Sequence, residues 1–257
     1  MSNSGATTFD SQTRRRLHLL ARAIARRARL LLPQHCELCA APAHDQLVCA
    51  ACMQALPRVV DACPRCALPS AAGMVCGACL AHPPPFDAAL AAYAYAFPVD
   101  RLLQALKYGG RLALAEWAAL SLAAQLAPAL RSRAFECAAP TVVPLPLAPA
   151  RQRERGFNQA REIASRLAPM LDLTLASVIE RPHARPPQAG LPWAQRRKNV
   201  RGVFAACGSV EGGHYALIDD VMTTGATLAE AARVLKRAGA ARVECWVVAR
   251  TLPPGQA

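Results

Sequence analysis

The sequence predicts an α/β protein: a parallel sheet flanked by helices, preceded by a small cysteine-rich domain. Three observations predict it. Strand-like and helix-like patterns alternate from residue 86 to about residue 252, as βα units do when they build a parallel sheet. One junction within that stretch, "ALIDDVMTTGATLAEA" at 216–231, places two adjacent acids before a Thr/Gly turn. Ahead of it, eight of the 11 cysteines fall in four Cys-x-x-Cys pairs between residues 36 and 79.

Residues 1–32 are Arg-rich and read as an amphipathic helix over 17–31. Leu17, Leu20, Ile24, Ala28 and Leu31 share one face, and Arg15, Arg22, Arg26 and Arg29 fall opposite. The composition resembles a transit peptide, and the pattern equally suits a surface helix on anionic lipid or nucleic acid. The simplest reading is an arm leading into the next domain with its Arg side chains solvated. No basic–apolar–small secretory order is visible, and no apolar run reaches the roughly 18 residues of a membrane span. A cytoplasmic location is therefore expected.

Residues 33–82 form the cysteine-rich domain. Cys36, Cys39, Cys49 and Cys52 recur, shifted by 27 residues, as Cys63, Cys66, Cys76 and Cys79. This is an internal duplication. A Cys-x-x-Cys knuckle presents two thiolates to one tetrahedral metal, and two knuckles complete a Cys₄ site with Zn–S near about 2.3 Å. So short a segment with few large apolar residues needs metal binding to supply its folding free energy. Disulfides would suit an exported protein. Four pairs do not suit a thioredoxin-type redox motif, and spacing and duplication fit zinc ribbons better than an iron–sulfur cluster. Two structural Zn²⁺ ions are expected. Sequential pairing of the knuckles is the simplest arrangement and a cross-braced one is the alternative. His35 flanks Cys36, but four thiolates already complete the set. Cys137, Cys207 and Cys245 lack partners at ligand spacing and read as buried apolar residues.

"LAHPPPFDAAL" marks the boundary, its three prolines making a stiff linker. The second domain, 86–252, then reads in order. "FDAALAAYAYAF" is extended, "DRLLQALKY" a short helix, "LALAEWAALSLAAQLAPAL" a long helix and "PTVVPLP" a short buried strand. "NQAREIASRLAPML" is a helix with Ala160, Ile163, Ala164, Leu167 and Leu171 on one face. "HYALIDD" is a strand, "LAEAARVLKRAGA" a helix and "RVECWVVART" a strand. The apolar run Tyr215–Ile218 suits a central parallel strand. Thr227 followed by Glu230 is a capping-box pattern that starts the next helix. Leu228, Ala231, Ala232 and Leu235 form that helix's buried face, and Gly239 ends it.

The turn between strand and helix, Thr223–Thr227, therefore lies where open α/β sheets bind ligands. Gly225 lets the backbone approach closely. The hydroxyls of Thr223, Thr224 and Thr227, the N–H groups through Ala226 and the helix dipole all favour an anion such as phosphate. Asp219 and Asp220 can accept hydrogen bonds from a ribose diol, directly or through Mg²⁺ and water. The combination describes a sugar phosphate held at both ends.

"ALIDDVMTTGAT" resembles the phosphoribosyl-pyrophosphate signature of type I phosphoribosyltransferases. The order of cysteine knuckles, "LLQALKYGGR", "VPLPLAPARQRERGFNQA", "RPPQAGLPWAQRRKNVRGVF" and the signature is similar to the competence-associated ComF/GntX family from about residue 33 onward. The resemblance implies a type I phosphoribosyltransferase-like sheet binding phosphoribosyl pyrophosphate and Mg²⁺, with an undefined acceptor. It also implies a link to DNA uptake, with single-stranded DNA and a helicase-like protein as partners. A former transferase that only binds nucleotide or single-stranded DNA is the alternative.

For the leaving-group end, Lys107 and Arg155 are the leading candidates. Lys107 is one of three Lys in an Arg-rich chain and precedes a Gly pair. Arg151, Arg153 and Arg155 follow the strand "TVVPLP" on an expected mobile segment, and Arg forks match phosphate oxygens. Glu154 can pair with these cations, Gly156 allows an unusual turn, and Asn158 suits a helix cap. Gln188, Arg196, Arg197 and Asn199 belong to a polar loop that the resemblance places over the site. The net charge of +13 fits polyanionic partners.

Overall fold

The computed structural model describes residues 34–133, 138–182 and 202–253. The Arg-rich segment 17–31, Cys137, and the loop residues Gln188, Arg196, Arg197 and Asn199 lie outside them. The chain divides into two compact units, one up to Gln54 and one from Ala55 onward.

The first unit holds one cysteine knuckle pair and the short helix α1 (Ala50–Gln54). The second opens with the other knuckle pair and α2 (Gly77–Ala81). It continues through β1 (Ala88–Ala94), α3 (Val99–Tyr108), α4 (Leu114–Arg133), β2 (Thr141–Pro144), α5 (Pro149–Arg155) and α6 (Gln159–Leu171). A two-residue pair, β3 (Ile179–Glu180) and β4 (Ala205–Ala206), precedes β5 (His214–Met222), α7 (Ala226–Arg237) and β6 (Arg242–Arg250).

The main sheet runs β1-β6-β5-β2 and every pairing in it is parallel. Tyr215–Ile218 is buried throughout, as a strand covered on both faces requires. β6 is buried from Val243 to its last residue. One side of the sheet shares a core with α7: Leu217, Cys245 and Val247 pack with Leu228, Ala231 and Leu235. Helices α4 and α6 pack on each other and on the sheet. Tyr93 of β1 stacks on Trp117 of α4 with ring centroids 5.8 Å apart, and its hydroxyl donates to Ser121 Oγ at 3.0 Å. Ala160, Ile163, Ala164 and Leu167 of α6 are buried, and Asn158 caps that helix by accepting from the N–H groups of Ala160 and Arg161. Among the described residues no helix is long and apolar enough to cross a membrane.

The second knuckle pair is built into this body. Ala67 is fully buried in the sheet–α7 core. The outer edge of β1 is covered by the preceding segment, with Ala89 N–H donating to Pro64 O at 3.0 Å and Ala94 N–H to Pro57 O at 2.8 Å. An otherwise open strand edge is thereby paired.

Candidate functional site

The cysteines gather into two sets, Cys36/Cys39/Cys49/Cys52 and Cys63/Cys66/Cys76/Cys79, each with its four sulfurs within 4.8 Å of one another. The pairing is the sequential one. The duplication persists bond by bond. Cys49 N–H points at Cys36 Sγ at 3.4 Å, and Cys76 N–H at Cys63 Sγ at 3.3 Å. Ala40 and Ala67 repeat the same left-handed backbone, φ 58° and 56°. Burial opposes ionisation of Cys36 and Cys63, yet backbone N–H groups at each sulfur bring them down to about 6 and about 7. Clustered thiols with N–H groups already aimed at sulfur fit a closed tetrahedral Zn²⁺ site with no position left for substrate. Cys245 is buried as expected, whereas Cys207, the residue after β4, is only half-buried.

The second site lies where the parallel strands end. β5 continues past the apolar run, so Asp219 and Asp220 lie within the strand, just ahead of its last two residues, Val221 and Met222. Asp220 is 3% exposed and its carboxyl pairs with Lys107 of α3. Gln159, first residue of α6, donates to Asp220 Oδ1 at 3.2 Å and accepts from Arg155 Nη1 at 2.5 Å. A polar chain therefore runs Arg155–Gln159–Asp220–Lys107. Asp219 accepts the N–H of Asp220 at 2.9 Å. Burial, and then the neighbouring Asp220 charge, push the Asp219 carboxyl well above the usual carboxylate range. Two acids in such conflict are a donor set that a hard divalent cation would satisfy.

The turn follows directly. Thr223 is exposed, Thr224 and Thr227 are half-buried, and Gly225 is buried with φ 77°. Thr224 Oγ1 accepts the N–H of Ala226 at 3.1 Å, and α7 begins at Ala226 with Gly225 as its N-terminal flanking residue. This corrects the expected capping box. Thr227 lies inside the helix, and Glu230 is engaged elsewhere, accepting from Gly202 N–H at 2.8 Å and pairing with Arg233.

Arg151, Arg153 and Arg155 also differ from expectation. They lie on the helix α5, which starts with Pro149 and ends at Gly156 in the left-handed conformation, φ 79°. Arg155 stacks its guanidinium over Tyr108, 5.0 Å from the ring centroid. A cavity of about 440 Å³ is lined by Lys107, Tyr108, Arg151, Glu154, Arg155 and Phe157. Arg153 does not line it. Gln159, Tyr108 and Arg250 were not singled out by sequence. Only Gln159 carried a signal, its place directly after a capping Asn.

A paired cysteine ribbon followed by a parallel sheet with an acid–acid–Thr/Gly turn defines a zinc-ribbon protein of the phosphoribosyltransferase class. Residues 28–80 match the double zinc ribbon domain and residues 153–253 the phosphoribosyl transferase domain. The chain is 35% identical over 234 residues to the DNA utilization protein YhgH of Salmonella typhimurium, covering 90% of this chain and 88% of that one. It is 32% identical over 178 residues to competence protein F of Haemophilus influenzae, covering 66% and 76%. A solved hypoxanthine phosphoribosyltransferase from Trypanosoma cruzi is 13% identical with TM-score 0.34 over 52% of this chain and 65% of that one, a likeness too loose to argue from. The chain belongs to the ComF/GntX family.

Proposed function

We propose that the protein binds phosphoribosyl pyrophosphate with Mg²⁺ at the carboxyl end of β5 and transfers the phosphoribosyl group to an acceptor. The observation that carries this reading is the continuity of β5, Asp219–Asp220, the Gly225 turn and the start of α7. In it, Thr223–Thr227 hold the 5′-phosphate through N–H groups, hydroxyls and the positive end of the helix. Asp219 and Asp220 receive the ribose hydroxyls and would hold Mg²⁺, which supplies charge neutralisation of the pyrophosphate when bound.

In the transfer, the bond between the ribose anomeric carbon and pyrophosphate breaks and a bond to the acceptor forms. Negative charge grows on the leaving group. Lys107 and Arg155 border the cavity beside Asp220 and are the cations that stabilise it. Lys107 exchanges its carboxylate partner for pyrophosphate oxygen, which frees Asp220 for the sugar. Titration calorimetry with phosphoribosyl pyrophosphate and Mg²⁺, then an acceptor screen for pyrophosphate release, tests this. Absence of binding would overturn it.

A second reading rests on Tyr108, which is 76% exposed beside Arg155. An aromatic face next to cations suits stacking and phosphate contact with single-stranded nucleic acid. The names of the relatives, DNA utilization and competence proteins, point to the same polymer. Binding without pyrophosphate release from any acceptor favours this non-catalytic reading.

A further inference from the structure

Arg250, the last residue of β6, is 5% exposed and its guanidinium reaches two separate parts of the molecule. Nε donates to the carbonyl of Cys66, a member of the second Cys₄ set, at 2.9 Å. Nη1 donates to the carbonyls of Met222 at 2.9 Å, Thr251 at 3.0 Å and Thr223. Met222 ends β5 and Thr223 begins the phosphate turn. One buried side chain thus ties a metal knuckle to the turn.

The electrostatics require a reason for a charge at this place. Burial disfavours the charged guanidinium, so its place here needs a compensating partner. Among the described residues its hydrogen bonds all go to backbone carbonyls, which carry dipoles but no charge. A Zn²⁺ ion with four thiolates retains a net negative charge, so the loaded second site is a counter-ion for Arg250. The Arg fork is rigid and planar, so fixing one edge at Cys66 fixes where the other presents to Thr223.

We propose that Arg250 is a positioning residue for the Thr223–Thr227 turn and that the second metal site, rather than the first, holds it in place. The second ribbon then serves anion binding without touching the anion. The effect on phosphoribosyl-pyrophosphate affinity rests on the function proposed above; the effect on the turn's geometry does not.

Amide hydrogen exchange on the zinc-loaded full chain tests it. In Arg250→Gln, the amides of Ala226, Ala229 and Thr251 should exchange about tenfold faster than in the parent, and the second zinc should leave faster to a chelator. Arg250→Lys keeps the charge without the fork; it should retain zinc but not restore protection of the turn. Emptying the second site by Cys76→Ser should expose the same amides, and emptying the first by Cys49→Ser should not. Should Cys76→Ser fail to fold, chelator titration of the parent serves instead, turn exchange being expected to follow loss of zinc from the second site. Unchanged turn exchange in folded Arg250→Gln, or turn exchange that follows the first zinc, overturns the proposal. Parent protein that binds no phosphoribosyl pyrophosphate yet shows the exchange pattern would overturn the proposed function alone.

Discussion

Lys107 of α3 and Asp220 of β5 meet in an ion pair whose acid side chain is 4% and whose base side chain is 18% exposed. Removing one partner leaves the other charge enclosed. Lys107→Met should therefore cost about 2–4 kcal/mol, below the full cost for a wholly buried pair because the Lys keeps some solvent. Asp220→Asn in the same chain should recover most of it. Urea denaturation of the two single variants and the double variant measures the coupling, and additive losses would refute it.

Asp219→Asn with Asp220→Asn should abolish most phosphoribosyl-pyrophosphate affinity while leaving a folded protein, less stable by the loss of Lys107's partner. Charge conflict at Asp219 is relieved by the change. Unchanged affinity in the folded double variant would show that these acids do not hold the sugar.

Gly225→Val should damage binding and stability together. A Cβ there would lie 2.6 Å from Met222 Cε, and φ of 77° is a conformation that side chains resist. The backbone term alone is about 1–2 kcal/mol. The Met side chain can swing aside, so the loss of anion binding should exceed the loss of stability. Parent-like phosphate binding in the folded variant would sink the turn assignment.

Metal analysis of unoxidised protein should find two Zn²⁺ per chain, one for each set of four sulfurs. Zinc near zero, or thiol counts near 11 in the native metal-loaded protein, contradicts this.

Glu244 sets an acid limb of stability. Burial would raise its carboxyl, but His214, Arg242 and Trp246 hold it down to about 2 from an ordinary 4.5. A carboxylate depressed on folding stabilises above its unfolded value, and that contribution disappears as pH falls toward the folded one. The parent should exceed Glu244→Gln by about 3 kcal/mol above pH 5, with the difference closing near pH 2. A gap that persists at low pH would mean packing, not charge, is responsible.

Affinity for single-stranded DNA should fall steeply as salt rises, and more gently after Arg151→Gln and Arg155→Gln. No binding at low salt removes the nucleic-acid reading. Loss on deleting residues 1–32 alone moves it to the N-terminal segment.

The strands, the main helices and both cysteine sets were legible because each announces itself over a few neighbouring residues. The apolar run before Asp219 and the knuckle spacing are of that kind. Thr227–Glu230 misled because the capping pattern assumes a free carboxylate, and Glu230 is buried against Gly202 and Arg233. The helix holding Arg151–Arg155 had its signals in Pro149 and Gly156, which were outweighed by its polar sequence. Lys107 meeting Asp220, and Cys66 meeting Arg250, depend on tertiary closure between distant segments. No local spacing encodes them.

The duplicated ribbon has consequences for how its two copies can change over evolutionary time. Ala40 and Ala67 are the same residue in the same backbone shape, yet one faces solvent and the other is sealed in the core. Drift should be asymmetric. At position 40, glycine or asparagine would ease the left-handed turn at little cost. At position 67, every larger side chain must displace its neighbours. Descendants of one ancestral module thus carry unequal freedom: the first copy can acquire new surface chemistry, while its twin is bound to the shape of the domain that absorbed it.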